Sequence, residues 1–119
     1  MWNYQNTMLE GNVTHEPTMK KTKTGKSVCS FSLAFHHNSG SESEEGVSYI
    51  DVDTWDRLAE ICSDNIRKGK RVMVFGMLRQ DRWEDDDGKK HSRHKIIGKE
   101  IRFIESLNKP VAEAVQKAV

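Results

Sequence analysis

The chain has 119 residues and a mass of 13.7 kDa, the size of one domain, so no separate second catalytic domain is expected within it. Hydrophobic residues make up 35% and charged residues 31%, with a mean hydropathy of −0.75, so the core is small. Nineteen Lys and Arg stand against 18 Asp and Glu, a net charge of +1, so only the placement of charge bears on partners.

No apolar run approaches the roughly 20 residues of a membrane-spanning helix. The start, Met1-Trp2-Asn3-Tyr4-Gln5-Asn6, has neither the basic flank nor the apolar stretch of a secretory leader, so the protein is expected to stay where it is made. Cys29 and Cys62 are far apart and form no metal-binding pair. Both sit among apolar residues and read as free thiols in the core.

In chain order, Tyr4 to Asn12 reads as a strand anchored by Met8 and Leu9, which Gly11-Asn12 ends or bulges. Lys20 to Lys26 follows with four lysines and no acid, and reads as a loop. From Val28 to Phe35, Cys29, Phe31, Leu33 and Phe35 alternate with smaller residues, the period of a strand with one buried face. Asn38 to Gly46 holds no apolar residue and reads as a hairpin tip. Val47 to Thr54 is rich in β-branched and aromatic residues, a further strand.

The period then changes. Leu58, Ile61, Cys62 and Ile66 share one face of a helix, with Asp56 and Glu60 early, Arg67-Lys68 at the end and Gly69 as the stop. Val72 to Arg79 alternates again, and Gly76 within it predicts a bend, a bulge or a close backbone approach. Asp81 to Lys90 is a polar arm around Asp87-Gly88, a hairpin-turn dipeptide, and is expected to project. His94 to Ile104 is the last strand. Residues 1–105 form the domain, and 106–119 a short extension able to make two or three helical turns but too short to hold alone.

Five strands with one short α-helix between the third and fourth suit a small barrel, which leaves no sheet edge for so polar a chain to cover. The expectation is an all-β, five-stranded Greek-key OB-fold barrel, a fold that binds oligonucleotides on a strand face and through projecting loops. Charge placement is compatible with this. Lys20–Lys26, Arg67–Arg71 and Lys89–Lys95 together hold 12 of the 19 cations, while acids gather in Glu42–Glu45 and Asp81–Asp87.

Enzymatic chemistry finds no support. The five histidines, His15, His36, His37, His91 and His94, lack ligand spacing to either cysteine. Asp85-Asp86-Asp87 are successive turn residues that do not converge like a calcium loop, and no phosphate-cradling Gly loop occurs. No catalytic residue, metal or cofactor is expected.

Several stretches, in order, resemble the bacterial single-stranded-DNA-binding protein family. They are Gly11-Asn12-Val13-Thr14 with Glu16-Pro17, Thr24-Gly25-Lys26-Ser27-Val28, Phe31-Ser32-Leu33-Ala34 and Tyr49-Ile50-Asp51-Val52. Leu58-Ala59-Glu60, Lys68-Gly69, Gly76-Met77-Leu78, Arg82-Trp83-Glu84-Asp85, Asp87-Gly88-Lys89-Lys90 and Glu100-Ile101 continue the match, which covers roughly residues 5–105. The resemblance implies sequence-independent binding and protection of single-stranded DNA in replication, recombination and repair, in the bacterial cytoplasm on the nucleoid.

It further implies base stacking at Tyr49, Trp55 and Trp83, and phosphate contacts at Arg57, Lys68, Arg79 and Arg82, with Lys20 and Lys21 added from the basic run. The physical sense is that a sequence-neutral binder needs flat π-surfaces interleaved with cations. Trp83 in a polar arm has no core to join, and Trp55 lies off the Leu58/Ile61 face. Tyr49 lies in a strand, where aromatics also serve packing.

Members assemble as homotetramers through sheet faces. Here Met73, Phe75 and Met77 lie on one side of their strand and Val72, Val74 and Leu78 on the other; a partner subunit is expected to cover one of these faces. Departures are Ser39 where some members carry a stacking aromatic, with His36 or His37 as substitutes, and Asp51 where some are basic. Typical members also end in an acidic tail that recruits replication and repair enzymes. The last residues here, Lys109-Pro110 to Lys117-Ala118-Val119, show no acidic tip, so such partners are not an expectation from this sequence. The alternative reading is an OB-fold replisome or primosome adaptor acting mainly through protein contacts.

Overall fold

The computed structural model describes residues 2–38 and 45–104. The centre of the polar tip and the extension over 106–119 lie outside the described residues. The elements are β1 (Thr7–Val13), β2 (Thr18–Lys21), β3 (Ser27–Asn38), β4 (Glu45–Trp55), α1 (Asp56–Asn65), β5 (Arg71–Glu84) and β6 (Lys90–Ile104).

Five strands close a barrel in the order β1-β5-β6-β4-β3, sealed where β1 meets β3 at Asn12↔Ala34 and Val13↔Leu33. All pairings are antiparallel except β4 with β6, whose register is Asp51↔Lys95 to Asp53↔Ile97. This is the OB-fold barrel that the sequence pattern predicts, with α1 between its third and fourth strands.

The inward residues of β3 are those its alternation selects: Cys29, Phe31 and Leu33 are buried. Val13, Val52, Val72, Val74 and Ile96 meet them, and Ala59, Cys62 and Ile66 close one end. Thr54 is the buried polar side chain among these, and it donates to the Cys29 carbonyl at 3.0 Å. Burial pushes the Cys62 thiol up to about 11, so it stays protonated and apolar.

Four expectations need correction. First, Lys20 and Lys21 lie not in a loop but in β2, hydrogen-bonded to β3 outside the five-strand ring. With one apolar residue in four, β2 has no period to read. The turn is confined to Thr22–Lys26, where the Thr22 amide donates to the Lys26 carbonyl and Gly25 takes φ +86°. Second, Gly11-Asn12 does not end β1. A Cβ on Gly11 would lie 2.8 Å from the Ala34 carbonyl oxygen, so the glycine lets β1 and β3 cross closely at the seam.

Third, α1 stops at Asn65, before the basic residues. Ile66 already has extended backbone, and its amide makes the last bond to the Cys62 carbonyl. Arg67 still satisfies the helix end by donating to the Ser63 and Ile66 carbonyls. Ile61 is 37% exposed, and Ala59 takes the place on the buried face that periodicity gave to it. Fourth, Leu78 is 44% exposed, although it stands opposite buried Ile96 on the side of Val72 and Val74. The register of β5 on β6 shifts between Phe75 and Gly76, where β6 carries the extra residue, Lys99. Gly76 itself is a close approach, since a Cβ there would meet the Ile97 carbonyl oxygen at 2.0 Å.

The polar arm is a hairpin turning at Asp87-Gly88, as its sequence predicts. The β5–β6 ladder runs through Arg79↔Lys95 to Glu84↔Lys90, and only Asp85–Lys89 turn. Asp85 builds that turn: its carboxylate accepts from the Asp87 and Lys89 amides, while Gly88 takes φ +81°.

Candidate nucleic-acid interface

Side chains directly opposite in an antiparallel pair point to the same face. On the outer face of β3 and β4 this gives rows Val28 and Trp55, Ser30 and Asp53, Ser32 and Asp51, Ala34 and Tyr49. β2 adds Lys20 beside Val28 and Thr18 beside Ser30. Trp55 and Tyr49 therefore stand on one face, six residues and some ~20 Å apart at a strand's rise. Tyr49 is 69% exposed and Trp55 half-buried.

The arm supplies the opposite wall. Alternation along β5 puts Arg79, Asp81 and Trp83 on one side, with partners Lys95, Arg93 and His91 on β6. Trp83, Lys20 and the Ser30/Ser32/Asp51/Asp53 rows line one groove of about 390 Å³ between the arm, the β2 hairpin and the sheet. Trp83 is 46% exposed there. His91 stacks on its ring at 5.5 Å between centroids and 18° between planes, and the Arg93 guanidinium lies 5.9 Å from the ring centroid. Asp85 Oδ2 holds His91 Nε2 at 2.8 Å.

The acids on the floor are all partnered. Lys95 Nζ lies 2.7 Å from both Asp53 Oδ2 and Asp81 Oδ2. Desolvation works against the Lys95 charge, but its hydrogen bonds to Asp53 and Asp81 outweigh it and raise its pKa. The bond from Lys95, followed by that from Arg79, holds the Asp81 carboxyl below its ordinary range. Ser30 Oγ donates to Asp53 at 2.8 Å, Ser32 Oγ donates to Asp51, and Arg93 reaches Asp51 at 3.3 Å.

A sequence model described as the single-strand binding protein family matches residues 4–104. The chain belongs to that family. Among curated members it is 35% identical to the single-stranded DNA-binding protein of Caldanaerobacter subterraneus, over 82% of this chain and 66% of that one. It is 33% identical to single-stranded DNA-binding protein 2 of Chlorobaculum tepidum, over 86% of this chain and 72% of that one. For the Deinococcus radiodurans protein the identity is 35%, but the match spans 35% of its length. A solved chain from the Plasmodium falciparum SSB complex with ssDNA superposes with a TM-score of 0.81 at 24% identity, over 88% of this chain and 98% of that one.

Family membership sharpens the question of which expected contact residues come together. Tyr49, Trp55, Trp83 and Lys20 share the groove side, and Arg79 joins them on the inner face of the arm, with Nε 2.9 Å from Asp81. Arg82 does not. It is on the reverse face of the arm, where it donates to Gln80 at 3.0 Å. Lys21 alternates away from Lys20 and pairs with Ser27. Arg57 is exposed on the first turn of α1, just beyond Trp55. Lys68 is exposed in the turn after α1, and its amide donates to Glu16, next to the groove residue His15. His36 continues the outer face beyond Tyr49, opposite Val47, whereas His37 faces the other way and bonds Ser48.

Sequence reasoning missed Lys95, Arg93, Asp81, Ser30, Ser32 and Asp53 as groove residues, and His91 as the ring stacked on Trp83. A signal was present in the two-residue spacing that groups Tyr49, Asp51, Asp53 and Trp55, and again Asp81 with Trp83.

Proposed function

We propose that the chain binds and protects single-stranded DNA in replication, recombination and repair, without reading a fixed base order and without catalysing a reaction. The observation that carries this is the groove in which half-exposed Trp83 on the arm faces a strand face bearing Tyr49 and Trp55. Unpaired bases offer π-faces of every kind, and such rings accept any of them, at about 1–3 kcal/mol per base. Lys20, Arg79 and Arg93 flank the rings and suit the phosphates between bases, with Arg57 and Lys68 further out. Fold, family and the bacterial relatives support this reading, which sets the protein in the bacterial cytoplasm on the nucleoid.

The same proposal includes a homotetramer. Val72 and Val74 belong to the barrel's own core, leaving the outer face of β5 and β1 for a second copy. Met8 is 61% exposed and Met77 43%, with half-buried Phe75 opposite Met8. Apolar side chains gathered on one sheet face are a subunit contact in chemical character.

The deciding experiment is titration of the protein with a mixed-sequence DNA strand of about 30 nucleotides at low salt, followed by tryptophan fluorescence. Quenching that sodium chloride reverses, and that Trp83→Ala weakens about tenfold or more, is the expected result. No quenching and no mobility shift at low salt would overturn the reading. Sedimentation in the same buffer reports the assembly state.

A further inference from the structure

The same two-residue step occurs on both walls of the groove. Asp53 precedes Trp55 by two residues on β4, and Asp81 precedes Trp83 by two on β5. Trp55 keeps extended backbone, φ −123° and ψ 154°, so in each strand the aspartate and the tryptophan stand on one face. One ammonium joins the two acids: Lys95 Nζ lies 2.7 Å from Asp53 Oδ2 and 2.7 Å from Asp81 Oδ2. The Lys95 side chain is 15% exposed and that of Asp53 14%, so salt screens this tie little. Ser30 fixes the Asp53 end at 2.8 Å, and Arg79 the Asp81 end at 2.9 Å.

Lys95 also stands where the arm leaves the barrel. β6 pairs with β4 only over Asp51↔Lys95 to Asp53↔Ile97, and β5 pairs with β1 no further than Thr7↔Gly76. Beyond these points Arg79–Glu84 and Lys90–His94 pair with one another and, among the described residues, with no third strand. A two-stranded ribbon twists strongly and has no neighbour to set its direction, so side chains at its root set it. Arg93 reaches Asp51 at 3.3 Å, but the two side chains are 62% and 39% exposed, and such a pair contributes little. The Lys95–Asp53 pair is the shielded one.

We propose that Lys95 is a positioning residue for strand binding: by holding Asp53 and Asp81 together it sets how far the Trp83 platform stands from the Trp55 platform, without itself touching the nucleic acid. The inference rests on the single-stranded DNA reading given above and deepens it. With its ammonium spent on two acids below the surface, Lys95 leaves the phosphates to the more exposed Arg79 and Arg93.

A double-mutant cycle with Trp83 tests it, read by fluorescence anisotropy of a labelled mixed-sequence DNA strand. Lys95→Met should weaken binding about tenfold, as the loss of one stacking platform does. The slope of log affinity against log salt should stay as it is, whereas loss of a phosphate contact would flatten it by about 0.7. Trp83→Ala, about tenfold on its own, should cost only about twofold more in the Lys95→Met background, because the ring is already out of place. Circular dichroism checks that each variant is folded. Should Lys95→Met not be, Asp81→Ala, at a side chain 37% exposed, cuts the arm end of the same tie and takes its place in the cycle. Losses that multiply to about a hundredfold, a flattened slope for Lys95→Met, or unchanged affinity each overturn the inference and leave the DNA-binding reading intact. Failure of the unaltered protein to bind the strand at low salt removes both readings together.

Discussion

Trp83 and His91 face one another across the β5–β6 ladder, their rings 5.5 Å apart and 18° from parallel. One side of the indole therefore rests on the imidazole, which Asp85 holds in turn from the hairpin turn. A ring fixed in this way loses less rotamer freedom when a base stacks on it. Replacing His91 by Ala should weaken single-stranded DNA binding about threefold, less than the loss for Trp83→Ala, since the platform survives without its support. Anisotropy titrations of the two variants and the unaltered protein check the order. A His91→Ala loss as large as that of Trp83→Ala would show that His91 itself contacts the strand.

Adjacent lysines should behave differently. Lys20 shares the groove side with Trp55, while its neighbour Lys21 faces away beside Ser27. Each phosphate contact on a single strand contributes about −0.7 to the slope of log affinity against log salt. Lys20→Ala should therefore flatten the slope by about that amount and Lys21→Ala should leave it nearly unchanged. Equal effects of the two substitutions would mean that only the overall charge of the hairpin matters.

Gly76→Ala tests the bulge. Its Cβ would fall 2.0 Å from the Ile97 carbonyl oxygen, a backbone atom that no rotamer change can move aside. The ladder must open locally, at a cost of about 3 kcal/mol or more. Urea denaturation should show a lowered midpoint, whereas Gly88→Ala, in a turn with no atom within 4 Å of its Cβ, should show only the smaller cost of its positive φ.

Acid should loosen the arm before it unfolds the barrel. Asp81 and Asp85 both titrate below their ordinary value of 3.8, Asp81 chiefly through Lys95 and Asp85 chiefly through His91. A depressed folded-state pKa contributes stability that is present above the unfolded-state value and is lost as pH falls through the folded one. Raising the pH from neutrality should leave these contributions unchanged. As the pH falls below about 4, Trp83 fluorescence should change ahead of the far-ultraviolet circular dichroism. Coincident transitions in the two signals would show that arm and barrel unfold as one.

Much of this architecture was legible because apolar residues mark it. Cys29, Phe31 and Leu33 announce β3, and Val52 and Thr54 follow the inward period of β4. Elements polar on both faces have no such mark. β2 has only Met19, and the outer half of the β5–β6 ladder alternates one polar residue with another, so that only the Asp87-Gly88 turn marks it as a projecting hairpin. The same gap explains the site. Arg82 adjoins Trp83 in sequence, but neighbours on a strand point to opposite faces, so proximity along the chain is a poor guide to contact. Lys95 and Arg93 were hidden in a basic run whose facing depended on a register that no local pattern fixes.

The seam between β1 and β3 also shapes how the chain is assembled. At that seam Val13 meets Leu33, close in sequence, whereas β1 joins β5 by pairing Thr7 with Gly76. Bridging the longer span costs more loop entropy, so the contiguous β3–β4 hairpin should nucleate and β1 should dock late. Amide hydrogens of Met8 and Leu9 would then gain protection after those of Phe31 and Val52 in pulse-labelled refolding. A newly made chain would wait for β5 to emerge from the ribosome before the stretch from Thr7 to Gly11 finds its partner strand.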